Sequence, residues 1–165
     1  MSVSFEVKNK VAVVTGGAGI LCAAMCRALA EAGAKVAVLD LREESAQALA
    51  SEIGNDAIGV ECNVLEKTSI EAAANKVMDA FGRVDILVNG AGGNKPQATT
   101  SADQTFFDIP AEAIRWVFDL NMMGTILPCQ VFGKIMTAQN SGVILNVSSM
   151  NAFKPLTRIP AYSAA

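Results

Sequence analysis

The sequence predicts an α/β fold, a doubly wound parallel sheet with helices on both faces. Two observations predict it. Short β-branched runs alternate with alanine-rich helical stretches from Val11 onward, and three of those stretches close on a single glycine: Gly33, Gly54 and Gly82. Alternation at this spacing gives parallel strands joined by right-handed crossovers.

The first strand is Val11 to Thr15, a continuous apolar run suited to burial on both faces. A glycine turn leads into a helix from about Ile20 to Ala32, with Gly33 as its C′ residue. Strand two is Lys35 to Asp40, and helix two covers roughly Glu43 to Ile53. Strand three is about Ala57 to Cys62, helix three about Lys67 to Phe81, and strand four Asp85 to Asn89. The polar stretch from Gly90 to about Asp108 is too long for an ordinary connection and marks a functional loop. Helix four starts near Pro110, which suits a first helical turn, and its pattern continues to about Thr137. Pro128 has no N–H to give the carbonyl of Gly124, so a kink or irregular turn is expected there. Strand five is Val143 to Val147, and Ser148 to Ala165 reads as a loop leading into a further helix.

Composition narrows the function. The 165 residues suffice for one domain with a real core. A net charge of −3 argues against nucleic acid or an anionic membrane as partner. The chain has no histidine, which excludes histidine triads, bases and metal ligands within it. Its four cysteines form no C-x-x-C pair and read as small buried hydrophobes, so no metal site is expected. Without a signal-peptide pattern or a long apolar run, a cytoplasmic protein is expected.

In such a sheet ligands sit at the carboxyl ends of the strands. Gly16 to Gly19, Asp40, Asn63, Asn89 to Gly92, and Ser148 to Ser149 all fall there. The run Thr15-Gly16-Gly17-Ala18-Gly19 joins a strand to a helix, where backbone N–H groups and a positive dipole end can meet a pyrophosphate. Asp40 ends strand two, where a carboxylate can accept from adenosine ribose hydroxyls and repel a 2′-phosphate. This favours NAD over NADP, although Arg42 nearby softens the repulsion.

Together these residues resemble the short-chain dehydrogenase/reductase family, whose motifs run T-G-x-x-x-G-x-G, N-N-A-G, an Asn, a Ser, and Y-x-x-x-K. Thr15 and Gly16 match the first motif, and Asn89-Gly90-Ala91-Gly92 matches the second with Gly90 in place of Asn. Asn121 lies where the family has its helix-borne asparagine, and Ser149 lies 13 residues before Tyr162, the family spacing. The resemblance implies a Rossmann-type single dinucleotide-binding domain over residues 1–165. It also implies a C-terminal part missing here, since the sequence stops just before the position of the motif lysine. Alone, such a piece is expected to be poorly soluble or inactive. Two motif glycines are replaced by Ile20 and Cys22, with Gly17 and Gly19 present instead, and the family's acidic residue after strand three is Asn63.

The resemblance assigns roles. Thr15, Gly16, Gly17, Gly19, Ile20, Leu21, Asp40, Asn63, Val64, Asn89, Gly90, Ala91, Gly92 and Tyr162 would border the cofactor, NAD. Tyr162, the sole tyrosine, would be the acid/base, Ser149 would hydrogen-bond the reacting oxygen, Ser148 would support the loop, and Asn121 would hold a water in a proton relay. A free phenol has a pKa near 10, so it needs a stabilised phenolate to act at neutral pH.

Asn94 to Asp108 and Met150 to Ala161 should border the substrate, with Asn94, Lys95, Asn151 and Arg158 as candidate contacts. Their donors and cations suit a polyhydroxylated acid. The strings around Gly19, Gly90 and Ser148 also resemble the sugar-acid branch of the family, which would interconvert D-mannonate and D-fructuronate. A gluconate 5-dehydrogenase-like or other polyol dehydrogenase is the alternative. Outside that class stand a catalytically inactive NAD-binding module and a nucleotide-binding enzyme without hydride chemistry. Family members commonly form dimers or tetramers through the long helix, where Trp116, Phe118, Phe132 and Met136 would serve either a partner or the core.

Overall fold

The computed structural model describes residues 6–165. One sheet of five parallel strands has the order β3-β2-β1-β4-β5. Its strands are β1 (Val11–Thr15), β2 (Lys35–Asp40), β3 (Ile58–Glu61), β4 (Ile86–Asn89) and β5 (Val143–Asn146). The helices are α1 (Ile20–Glu31), α2 (Glu43–Ile53), α3 (Lys67–Phe81), α4 (Ala111–Phe118), α5 (Gly124–Ala138) and α6 (Pro160–Ala164). Val13 stands opposite Ala37 on one side and Leu87 on the other, which fixes β1 at the centre.

The continuous apolar character of β1 follows from this position. Val11 and Val13 face a core with residues of α3 and α5, including Ile70, Val77 and Phe132. Val14 faces the opposite core, with Cys26 of α1 and Leu49 of α2. Both faces are covered, so no residue of the strand meets water. Each valine or leucine fully buried here stabilises the fold by about 1.5–3 kcal/mol. The strand order reverses between β1 and β4, which opens a crevice at their carboxyl ends.

Helix α1 ends in a Schellman arrangement. Gly33, at φ +88°, donates to Ala30, and Ala34 donates to Leu29. At the other end of the sheet the carboxylate of Asp85 accepts from the Val11 N–H at 2.9 Å and from Arg83 at 2.9 and 2.6 Å. Burial alone would raise its pKa. The Arg83 guanidinium, the Val11 N–H and Lys10 outweigh burial and hold the carboxyl below its usual range.

Several boundaries differ from the expectation. Strand three is shorter at both ends, strand four starts one residue later, and strand five stops at Asn146. Pro110 is the N-cap of α4 rather than part of its first turn. The expected irregularity lies ahead of Pro128, which sits buried inside α5. A π-helical turn, Asp119–Met123, separates α4 from α5, with the Gly124 N–H reaching back to Asp119. The side chain of Asn121 donates to Val117 O at 2.7 Å. That carbonyl is the acceptor that α-helical geometry would give to the N–H of Asn121, so the turn widens there.

Phe132 and Met136 are 0 % and 6 % exposed and belong to the core, which removes them from any partner surface. β5 is an edge strand, and its Val143, Ile144 and Leu145 are exposed. Among the described residues no helix is long and apolar enough to cross a membrane, and no group of three metal-ligating side chains could hold an ion.

Candidate active site

A cleft of about 790 Å³ runs along the carboxyl ends of the strands. Its floor begins at the β1–α1 turn. Gly16 takes φ +61°, and a Cβ there would stand 2.8 Å from the Cα of Ala91. Glycine therefore lets this turn lie against the loop that follows β4. Gly19 is the N-cap of α1 and offers no side-chain bond to the first-turn N–H groups. Gly19, Ile20, Leu21 and Cys22 all line the cleft. The N–H of Gly19 donates to Gly16 O at 3.0 Å, whereas those of Ile20, Leu21 and Cys22 belong to the first turn and lack intrahelical partners; no acidic residue occupies that turn, so the helix end presents positive potential to the cleft.

Asp40 lies beside this turn. Its Oδ2 accepts from the Ala18 N–H at 3.1 Å and its Oδ1 from the Arg42 N–H at 3.2 Å. The carboxylate is thereby fixed, and each oxygen keeps a lone pair for a hydroxyl donor. Asn63, Val64 and Leu65 continue the wall. Asn63 folds this corner, accepting from the Leu65 N–H at 3.1 Å and donating to Glu66 at 2.9 Å.

The opposite wall is Gly90 to Gly93. Thr15 Oγ1 accepts from the N–H groups of Gly90 and Ala91, at 3.2 and 3.3 Å. Asn121 clamps the far end, donating to Gly93 O at 2.7 Å and accepting from the Gly93 N–H at 3.0 Å. With Val117 as its second acceptor, both amide hydrogens of Asn121 are used. A water in its vicinity could meet only the remaining lone pairs, on Oδ1 or on the backbone carbonyl that accepts from Thr125 at 3.1 Å.

A Cβ on Gly90 would overlap the Sγ of Cys22 and lie 3.0 Å from Thr15 O. The two departures from the family pattern are thus one packing event, in which the thiol of Cys22 fills the space a larger residue at 90 would need. Burial raises the pKa of Cys22, and Asp40 adds to this, so its thiol stays neutral. Cys62, also on the wall, is pushed up to about 12 by burial.

Ser148, Ser149, Asn151 and Tyr162 close the cleft. Ser149 caps a short 3-10 turn, Met150–Ala152, by accepting from the Asn151 N–H at 3.2 Å. Tyr162 sits on α6, which is held by packing of Ala161 with Ala98, Ala113 and Val117. Tyr162 lines the same cleft as the turn after β1.

Some expected residues lie elsewhere. Thr15, Gly17 and Asn89 do not reach the wall. Thr15 is 1 % exposed with its hydroxyl spent on the β4 loop, Gly17 donates to Leu39 O at 2.9 Å, and Asn89 is 2 % exposed, donating to Asn146 at 2.8 Å. They shape the loops rather than line the space. Of the substrate candidates only Asn151 lines the cleft, and it is buried. Asn94 turns to Thr99 at 2.9 Å. Arg158 lines a separate shallow groove with Phe106 and Leu156, because its backbone takes φ +77° and its carbonyl accepts from Thr100. Lys95 lies outside the wall, its Nζ 5.0 Å from the ring centroid of Trp116.

Trp116, Leu120 and Thr125 line the cleft and were not among the expected site residues. Trp116 and Leu120 are one helical turn apart, and the π turn Asp119–Met123 brings Asn121 to the same wall, which helical periodicity in the sequence could not show.

The family model for short chain dehydrogenase matches residues 10–165. An uncharacterized oxidoreductase of Bacillus subtilis, UxuB, is 45 % identical over 95 % of this chain and 60 % of its own length. A D-threitol dehydrogenase of Mycolicibacterium smegmatis is 37 % identical over 98 % of this chain and 60 % of its own. A crystal structure from Haemophilus influenzae, provisionally named a D-mannonate oxidoreductase and holding NAD, superposes with a TM-score of 0.88 at 42 % identity, covering 96 % of this chain and 61 % of that one. The chain spans about 60 % of the length of these relatives. Its fold, its motif order and a family match over nearly its whole length make it a member of the short-chain dehydrogenase family.

Proposed function

We propose that the protein is an NAD(H)-dependent oxidoreductase that interconverts a secondary alcohol and a ketone on a sugar acid, with D-mannonate and D-fructuronate as the pair. One observation carries the dehydrogenase reading: the open N-terminus of α1, the carboxylate of Asp40 and the phenol of Tyr162 border a single cleft. The residues fit a dinucleotide. The uncapped helix end and the close-packed glycines leave room and donors for a pyrophosphate, and Asp40 keeps acceptors for ribose hydroxyls. A bound nicotinamide supplies the two-electron carrier.

The chain's own groups do the rest. Gly19, Ile20 and Leu21 hold the phosphates, and Asp40 selects the unphosphorylated ribose and hence NAD. Asn63 and Val64 border the adenine, and Gly90, Ala91 and Gly92 form the wall behind the nicotinamide. Tyr162 takes the proton from the substrate hydroxyl or returns it to the ketone oxygen, and Ser149 donates a hydrogen bond to that oxygen. Asn121 secures the loop against which the reacting groups align. Assembly as a homodimer or homotetramer and a cytoplasmic location belong to the same reading.

The sugar-acid assignment is supported by the relative that holds NAD. A neutral polyol is the second reading, favoured by the D-threitol dehydrogenase and by a cleft in which, among the described residues, Asp40 is the one charged side chain of the lining. The test is a dehydrogenase assay of the intact protein with NAD and NADP, offering sugar acids and neutral polyols. Turnover of D-mannonate with NAD is expected. NADH binding without turnover of either class would leave a non-enzymatic nucleotide-binding module.

A further inference from the structure

Among the described residues lining the cleft the one charged side chain is the carboxylate of Asp40, and a sugar-acid carboxylate is best received by a cation. One cation stands against a residue of the wall. Lys95 caps the short 3-10 turn Pro96–Ala98, and its carbonyl accepts from Ala98 and from the hydroxyl of Thr99, at 3.0 and 3.1 Å. Its backbone is therefore fixed. Its ammonium rests on the ring of Trp116, 5.0 Å from the centroid, and Trp116 lines the cleft on the turn before Leu120 and Asn121. Among the described residues no carboxylate lies within ion-pair distance of Lys95. A cation held only by an aromatic face keeps its hydrogen-bond donors free.

We propose that Lys95, held at the rim by Trp116, receives the carboxylate of the substrate and sets the preference for sugar acids over neutral polyols. The proposal rests on the dehydrogenase reading above and names the residue that would decide its substrate class. From the ring the ammonium would turn toward the cleft by a side-chain motion.

The experiment compares the intact protein with its Lys95→Gln and Lys95→Arg variants on D-mannonate and on D-threitol, each with NAD. In Lys95→Gln the KM for D-mannonate relative to that for D-threitol should rise about ten- to a hundredfold, the range for losing a hydrogen bond to a charged group. Lys95→Arg should keep most of the preference. Added salt should raise the D-mannonate KM of the parent and leave that of Lys95→Gln nearly flat. An unchanged ratio in Lys95→Gln, with D-mannonate turned over by the parent, overturns the role of Lys95 alone. Equal loss of both activities also overturns it, marking a structural residue. Turnover of D-threitol alone by the parent, or of neither compound, overturns both the lysine assignment and the sugar-acid reading.

Discussion

Replacing Tyr162 by phenylalanine is expected to lower kcat by about 10²–10⁴-fold, the usual contribution of a positioned acid/base. The substitution removes one oxygen and keeps the ring, so the packing of α6 on Ala98, Ala113 and Val117 survives. NADH affinity should change little, because the phosphate and ribose contacts lie at the other end of the cleft. The measurement is a pair of titrations: steady-state turnover of D-mannonate, and NADH fluorescence on binding. Full turnover in Tyr162→Phe would remove the phenol from the chemistry. The chain spans about 60 % of the length of its relatives, so the experiment belongs to the intact protein.

The second large effect concerns Gly90. Restoring the family's asparagine with Gly90→Asn should weaken the protein. The new Cβ would run into the Sγ of Cys22 and press on the carbonyl of Thr15. The thiol is anchored on α1 and the carbonyl on β1, so neither gives way freely. Overpacking of this kind costs about 1–3 kcal/mol, and a domain of this size should lose roughly 2–10 °C in Tm. NADH affinity should fall as well, since Gly90 to Gly93 form one wall of the cleft. Cys22→Gly removes the obstacle. The double variant should be more stable than Gly90→Asn alone and bind NADH more tightly, although glycine in the first turn of α1 carries its own cost of up to about 1 kcal/mol. Strictly additive losses in a thermal-unfolding cycle would show that the two positions are not coupled.

This pair shows what a sequence conceals. Each departure from the motif was visible on its own, yet only the fold brings residue 22 against residue 90. The sheet itself was legible, because a strand buried on both faces must be apolar throughout and each crossover helix must stop before the next strand. Val11 to Thr15 and Gly33 carry that information locally. Asp40 and Ser149 were legible as occupants of one rim because the carboxyl ends of parallel strands all point one way; Tyr162, on α6, was expected there only from the family resemblance. The long loop was not. Asn94, Lys95 and Arg158 have the donors a sugar acid would use, but backbone geometry decides where they point. A left-handed residue at 158 and a 3-10 turn after 95 leave no periodicity to read. Thr15 and Asn89 also have a role the sequence did not show: the hydroxyl of Thr15 holds the loop after β4, and the amide N–H of Asn89 reaches β5 while its buried Oδ1 has no partner. The π turn at Asn121 was partly visible: Gly124 and Pro128 announced an irregular helix around Asn121, and the structure places it at Asp119–Met123, ahead of the proline.

Diffraction from crystals of the intact protein grown with NAD tests the central claim most directly. The account predicts a pyrophosphate against Gly19, Ile20 and Leu21, an adenosine ribose on Asp40, and a nicotinamide ring between Gly92 and the phenol of Tyr162. A dinucleotide bound outside this cleft, or one whose nicotinamide lies at the Asp40 end, would contradict it.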